Sequence, residues 1–288
     1  MRLSGRRESN NVEDRRCVSG AAKASVGGIG GVMVIALFTL LSGGNLGDVV
    51  SNVFQSGSVS EKTLSNDGRG QREVTEEEQK LAKLSRQILA GTEEVWSRQF
   101  KKMGRKYTAP TLVLFSGSVN SACGRATAAA RPFYCSADQK LYLDLSFLMN
   151  MKSEIGAGGD FACAYVIAHE VGHHVEYLLG ELGRAREQMS VMNTVDANRM
   201  SVELELLADY YAGVWAHYDN KWYDSIEDGD MEETLRRAEV VGGNCLQEKT
   251  RGYSPPESFT HGIPAQRAKW FRLGLETGDM TRTTFDEI

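Results

Sequence analysis

Ala168-His169-Glu170-Val171-Gly172-His173-His174 lies in an apolar run that ends at Gly180. This run predicts a single helix that the glycine terminates. Residues four apart lie on one face of a helix, so His169 and His173 can present two imidazole nitrogens to one metal ion. Glu170 lies beside them, which matches the H-E-x-x-H pattern of zinc peptidases, where the glutamate is the general base and not a ligand. The helix therefore predicts two zinc ligands, and a third must come from elsewhere in the chain.

A second helix, predicted over residues 201–216, carries acidic side chains suited to this site. Glu205 and Asp209 are four residues apart and share a face, whereas Glu203 lies on the opposite face and is rejected as a ligand. Carboxylates in a core helix are costly unless a positive charge meets them. We therefore predict that Glu205 is the third ligand of one Zn²⁺ ion, with water in the fourth position. Asp209 is predicted to accept the free ring N–H of a ligand histidine.

Length and composition limit the number of domains and the kinds of partner that the chain can have. It has 288 residues, of which 41% are hydrophobic and 25% charged, enough for one sizeable globular domain with appendages. The formal net charge is −5, and no basic stripe with interleaved aromatic residues occurs. We therefore expect no nucleic-acid partner.

The amino-terminal part predicts a membrane anchor. Residues 1–23 are polar and carry six basic residues against three acidic ones, residues 24–43 carry no charge, and residues 44–73 are rich in Gly, Ser and Asn. About twenty apolar residues suffice to cross a bilayer, and basic residues mark its cytoplasmic side. We expect a cytoplasmic amino terminus, one transmembrane helix over 24–43, a flexible linker over 44–73 and an extracytoplasmic domain over 74–288. A cleaved signal peptide is the alternative, but the long polar lead and the lack of an Ala-x-Ala site favour a retained anchor.

Local patterns add a helix, two strands and a cysteine pair. Thr75 opens a predicted helix that runs to about Met103, and residues 111–115 and 140–145 predict strands. Cys123 and Cys135 flank a loop of small residues between these strands. If the domain lies outside the cytoplasm, this pair is predicted to form a disulfide.

Several segments together resemble a known family. They are the H-E-V-G-H-H helix, E-L-L-A-D at 205–209, G-R-R-E-S-N-N-V-E-D-R-R at 5–16, the segments at 111–124 and 132–144, and S-F-T-H-G-I-P-A-Q-R at 258–267. In these motifs and their order the chain resembles the putative neutral zinc metallopeptidases, which are bacterial membrane proteins with a single anchor and are distantly similar to HtpX-like peptidases.

The resemblance implies a fold and a place in the cell. The fold is an α+β, mostly helical, zincin-like metallopeptidase domain with a small β-sheet, preceded by one N-terminal transmembrane helix. The place is the bacterial cytoplasmic (inner) membrane, with the catalytic domain in the periplasm. The likeness also implies an edge strand above the active-site helix, and residues 140–145 are the candidate, with Tyr142 and Leu143 pairing with an extended peptide substrate.

His261 has two possible roles. Its spacing from Arg267 resembles the H-P-x-x-x-x-R element of HtpX-like peptidases, although Gly262 replaces the proline. His261 could stabilise the oxyanion of the reaction. Alternatively, His261 and Arg267 could tie the last helix, predicted over residues 265–275, to the acids of the site. His174 follows a ligand by one residue and points elsewhere, so a structural hydrogen bond is expected for it.

These expectations combine into a membrane-anchored, zinc-dependent metallopeptidase that hydrolyses a peptide or protein substrate. Glu170 is its predicted general base. Two alternatives stay open. One is a membrane-tethered zinc-binding scaffold or assembly protein without turnover, and the other is a zinc hydrolase of non-peptide amide bonds.

Overall fold

The computed structural model of the protein describes residues 1–16, 74–127, 131–155, 159–227, 229–230 and 263–280. The described residues 1–16 and those from Val74 onward together form one compact unit. All elements described below belong to this unit.

Helices make up most of this unit. The described residues include α1 (Glu76–Lys102), α2 (Leu145–Ile155), α3 (Gly159–Leu179), α4 (Glu181–Met189), α5 (Thr194–Tyr223) and α6 (Pro264–Thr277). At the start of α1, Thr75 Oγ1 accepts a hydrogen bond from the Glu78 amide at 3.2 Å, and the Glu78 carboxylate accepts one from the Thr75 amide at 3.0 Å. This reciprocal cap explains why the helix begins where the sequence predicts.

The strands that the structure describes form one mixed sheet and one hairpin. They are β1 (Val12–Asp14), β2 (Thr111–Phe115), β3 (Ser118–Ser121), β4 (Gly124–Thr127), β5 (Phe133–Cys135) and β6 (Lys140–Asp144). The sheet has the order β1-β2-β6-β5, with β1, β2 and β6 parallel and β5 antiparallel to β6, while β3 and β4 pair with each other. The predicted mixed, mostly helical α+β class with a small sheet is confirmed.

Strand β6 does not lie at the edge of the sheet, contrary to prediction. It pairs with β2 on one side and with β5 on the other. Tyr142 and Leu143 are buried within it, at 2% and 1% exposure. Tyr142 lies opposite Val113 on one edge and Phe133 on the other, so its backbone is not free for a peptide and its expected substrate role is wrong. Leu143 lies beyond the β5 pairing, so its role stays a prediction. Among the described strands, β5 is the edge strand next to β6.

The first sixteen residues are part of the domain and not a separate tail. Strand β1 extends the sheet alongside β2, with Val12 opposite Leu112 and Asp14 opposite Leu114. The predicted domain start at residue 74 therefore omits one strand. The predicted anchor at 24–43 and linker at 44–73 lie outside the described residues. Among the helices that the structure describes, none is both long enough and apolar enough to cross a membrane.

The predicted cysteine pair is bonded. Cys123 lies in the turn between β3 and β4, and Cys135 ends β5; a disulfide joins them, with their Cα atoms 5.8 Å apart. The bond ties the β3–β4 hairpin to the edge strand of the main sheet. Cys163, in contrast, carries a free thiol that is buried in α3.

The backbones of α5 and α6 touch at two glycines. A Cβ on Gly213 would lie 2.1 Å from the backbone oxygen of Phe271, and a Cβ on Gly274 would lie 2.1 Å from that of Tyr210. Any larger residue at either position would therefore force the helices apart. This close approach brings the start of α6 to the site described below.

Gly213→Ala should lower the free energy of unfolding by about 1–3 kcal/mol, because the added methyl group has no space between α5 and α6. The matched control is Gly183→Ala in α4, where a Cβ would meet nothing within 4 Å. That change should raise the free energy of unfolding by up to about 1 kcal/mol through helix propensity. Urea unfolding followed by circular dichroism measures both, and equal effects would contradict the close helix contact.

Candidate metal centre

Helix α3 carries both histidines of the candidate centre. It consists mainly of apolar residues and is buried along most of its length, which is typical of a helix at the centre of a domain. His169 and His173 lie one turn apart, with ring centroids separated by 4.8 Å. The helix ends at Leu179, and Gly180 takes the left-handed conformation, with φ of 89°. The glycine thus ends the helix as the sequence predicts.

Glu205 faces both histidines from α5. Its carboxylate oxygens lie 3.3 Å from His169 Nε2 and 3.8 Å from His173 Nε2. One ring nitrogen from each histidine and one carboxylate oxygen of Glu205 all lie within 4.8 Å of one another. Two imidazole nitrogens and one carboxylate oxygen are a donor set that suits Zn²⁺, with a fourth position left for water or substrate. The residues therefore fit the predicted ion, and Glu203 is not among them.

Asp209 orients His169. Its carboxylate is fully buried and lies 2.9 Å from His169 Nδ1, which places the ring proton on Nδ1 and leaves Nε2 as the metal-facing nitrogen. The same carboxylate accepts hydrogen bonds from Tyr165 Oη at 2.5 Å and from Arg267 Nε at 2.7 Å. Asp209 thus lies beside His169, a candidate ligand, which is where the sequence predicts it.

Glu176 orients His173 in the same way, and sequence reasoning missed it. His173 Nδ1 lies 2.9 Å from Glu176 Oε2, and this glutamate is fully buried. Burial raises the pKa of Glu176, and the adjacent His173 lowers it. The available signal was spacing, since Glu176 follows His173 by three residues and so shares its helix face. With both Nδ1 atoms bound to carboxylates, both Nε2 atoms face Glu205.

Burial and neighbouring charges shift the pKa values of His169 and Glu170. Burial lowers the pKa of His169, but the interactions with Asp209 and Glu205 together outweigh it and raise the pKa to about 10. Burial raises the pKa of Glu170, while His169 and His173 lower it, and so does a hydrogen bond from the backbone of Tyr134. Tyr134 belongs to β5, so this contact brings the edge strand next to the predicted general base.

Arg267 ties the last helix to the centre. Besides its Nε bond, its Nη2 donates to Asp209 Oδ1 at 2.9 Å and to Tyr165 Oη at 3.1 Å. Two roles were considered for the His261–Arg267 element. Arg267 fulfils one of them, because it links the last helix to the buried acid Asp209. His261 lies outside the described residues, so its predicted oxyanion role stays a prediction.

Two other histidines are structural. His174 Nε2 lies 2.7 Å from the Thr108 carbonyl oxygen, and His174 Nδ1 lies 2.9 Å from Tyr134 Oη. Burial lowers the pKa of His174 to about 4, so the ring is neutral when it makes these bonds. His217 Nδ1 lies 2.8 Å from the carbonyl oxygen of Leu275. The expected structural hydrogen bond of His174 is therefore present.

Comparison with known proteins agrees with this centre. The profile of the family described as "Putative neutral zinc metallopeptidase" matches residues 1–285. The chain belongs to this family. It is 42% identical over 285 residues to "Uncharacterized protein YpfJ" of Escherichia coli K12, covering 97% of this chain and 96% of that protein. It is also 42% identical over 183 residues to "Uncharacterized protein Rv2575" of Mycobacterium tuberculosis H37Rv, covering 60% and 61% of the two chains. No solved structure matches.

Glu176→Gln should weaken zinc binding by about 10–100-fold, because the neutral amide supports the His173 imidazole less well than a carboxylate does. Glu203→Gln is the matched control, since this glutamate lies on the same helix as Glu205 but outside the metal-ligand group. Competition with a chromogenic chelator measures both affinities. Equal zinc affinity in the two variants would contradict the orienting role of Glu176.

Proposed function

We propose that this member of the zinc metallopeptidase family hydrolyses peptide bonds, with His169, His173 and Glu205 as zinc ligands and Glu170 as general base. The observation that carries the proposal is the convergence of two Nε2 atoms and one carboxylate, with Glu170 adjacent to His169 on the same helix. When bound, zinc polarises the scissile carbonyl and acidifies the attacking water. Glu170 takes the proton of that water and delivers it to the leaving amine.

The environment of Glu170 suits this proton transfer. A general base works best when its pKa lies near the working pH. Burial raises the pKa of Glu170 towards that range, while the histidines beside it limit the rise. The carboxylate can therefore hold the proton for part of the cycle and release it to the amine.

The substrate backbone is proposed to pair with β5. Among the strands that the structure describes, β5 bonds to β6 alone and is the edge strand of the sheet at this end. An extended peptide can add to a free strand edge through main-chain hydrogen bonds. The backbone contact between Tyr134 and Glu170 supports a pose in which the scissile bond lies over the metal ligands.

Arg131 is proposed to stabilise the oxyanion. It lies two residues before β5, is half-buried, and makes no hydrogen bond or ion pair with any residue that the structure describes. Burial and the nearby Arg267 lower its pKa, and Glu205 raises it, which supports a position close to the metal ligands. A partly desolvated cation with no partner among the described residues is suited to meet negative charge that develops on the substrate.

The proposed place of action is outside the cytoplasm, at the cytoplasmic membrane of a bacterium. The Cys123–Cys135 disulfide supports an oxidising compartment, since such bonds are rare in the cytosol. The uncharged stretch at 24–43 supports contact with a membrane.

Glu170→Gln should keep its zinc but lower kcat by about 10²–10⁴-fold, because the amide cannot accept the proton. Glu187→Gln, an exposed position on α4, is the control and should retain full activity. Release of fluorescent peptides from an unfolded protein measures turnover, and elemental analysis measures zinc. Turnover unchanged in Glu170→Gln would contradict the mechanism. If the parent protein binds zinc but cleaves no protein, peptide or cell-wall fragment, the result would favour the zinc-binding scaffold. If it cleaves cell-wall fragments but no proteins or peptides, the result would favour the hydrolase of non-peptide amide bonds.

Arg131→Gln should lower kcat by about 10²-fold with little change in KM, since an oxyanion contact forms only in the transition state. Arg125→Gln, an exposed position in β4, is the matched control and should behave as the parent. Steady-state kinetics with one peptide separates the two constants. A raised KM with unchanged kcat would reassign Arg131 to ground-state substrate binding, and identical kinetics of both variants would remove it from the site.

A further inference from the structure

The amino-terminal segment, residues 1–16, is bonded to the domain through its backbone. The Asn11 carbonyl oxygen accepts a hydrogen bond from the Leu112 amide at 2.9 Å, and the Arg15 amide donates to the Leu114 carbonyl oxygen at 2.8 Å. Both bonds belong to the parallel pairing of β1 with β2. The segment is therefore an integral strand of the sheet.

Two buried carboxylates depend on the same segment. Glu93 of α1, 8% exposed, accepts from Arg7 Nη2 at 2.8 Å, from Asn11 Nδ2 at 2.7 Å and from the Ser9 hydroxyl. Asp219 of α5, 1% exposed, accepts from Arg6 Nη1 at 2.7 Å. Removing the segment would leave both carboxylates buried without these partners, which is strongly destabilising. The motif G-R-R-E-S-N-N-V-E-D-R-R thus has a structural role that the zinc chemistry does not explain.

The two ends of the stretch 17–73 lie close together. Arg16, the last described residue before it, is buried and donates from Nη1 to the Glu78 carbonyl oxygen at 3.2 Å. Glu78 lies in the first turn of α1, four residues after Val74. Asp14 and Arg86 form a second contact between β1 and α1, at 3.2 Å. The chain therefore leaves the domain and returns to it at nearly the same place.

This geometry conflicts with a single membrane crossing. The hydrocarbon core of a bilayer is about 30 Å thick, so one crossing by 24–43 would place β1 and β2 on opposite sides. The uncharged stretch, residues 24–47, is long enough for one crossing by a helix but not for two. Residues 48–73 are polar and charged and would not return across the membrane.

We infer that residues 1–16 and the catalytic domain lie on the same side of the membrane, because residues 1–16 pair and pack with that domain. The sequence alone predicts an amino terminus inside the cytoplasm and a domain outside it. The inference replaces that arrangement with one in which both lie on the same side. It is independent of the zinc chemistry, because it rests on the contacts of the amino-terminal segment alone.

Impermeant maleimide labelling of the full chain in bacterial spheroplasts tests this placement. In a Cys17→Ser/Cys245→Ser background, Asn10→Cys and Gln188→Cys each add a thiol at an exposed position, in the amino-terminal segment and in α4. We expect both thiols to react from outside, or both only after permeabilisation. Labelling of one from outside and of the other only after permeabilisation would overturn the inference.

Thermal unfolding of the purified full chain provides a second test. Arg6→Ala should lower Tm by about 6–12 °C, because it leaves Asp219 buried without its partner. Arg2→Ala, which removes an exposed pair with Asp224, is the matched control and should lower Tm by less than about 3 °C. Equal Tm values for the two variants would mean that the segment is not docked, and would overturn the inference.

Discussion

The centre depends on the buried carboxylate of Asp209. It projects from α5 and binds His169 and Tyr165 on α3 and Arg267 on α6, so one side chain joins three helices. A buried charge of this kind is tolerated only when its hydrogen bonds are complete, and removing one partner typically costs about 3–5 kcal/mol. The same interactions that hold the helices together therefore fix the His169 ring with Nε2 towards Glu205.

The rest of the site follows from this constraint. Glu176 repeats the arrangement for His173, and the glycine contact between α5 and α6 allows Arg267 to reach Asp209. Among the described residues near the ligands, the carboxylates of Glu170, Glu176 and Asp209 outnumber the cations Arg131 and Arg267, which favours occupation by a divalent ion. On the other side, β5 contacts Glu170 through Tyr134, so the edge of the sheet adjoins the predicted base.

Much of this could be predicted from the sequence because helix periodicity fixes which side chains share a face. The positions of His169, His173, Glu205 and Asp209 follow from four-residue spacing, and the start of α1 follows from its cap. Strand order could not be predicted, because a strand with the side-chain alternation of β6 can lie either at the edge or in the middle of a sheet. Strand β1 was missed because two of its three residues are charged, and because its backbone pairing with β2 and its ion pair with Lys140 join it to residues far along the chain. Likewise, nothing local in the sequence indicates that Glu176 is buried.

The central claim is that one metal ion at this centre supports hydrolysis of peptide bonds. The most direct measurement is the rate at which the purified full chain cleaves an unfolded protein, before and after removal of metal with a chelator and on addition of zinc. The account predicts that cleavage stops on chelation and returns with one equivalent of Zn²⁺ per chain. Cleavage that persists in the metal-free protein would contradict it.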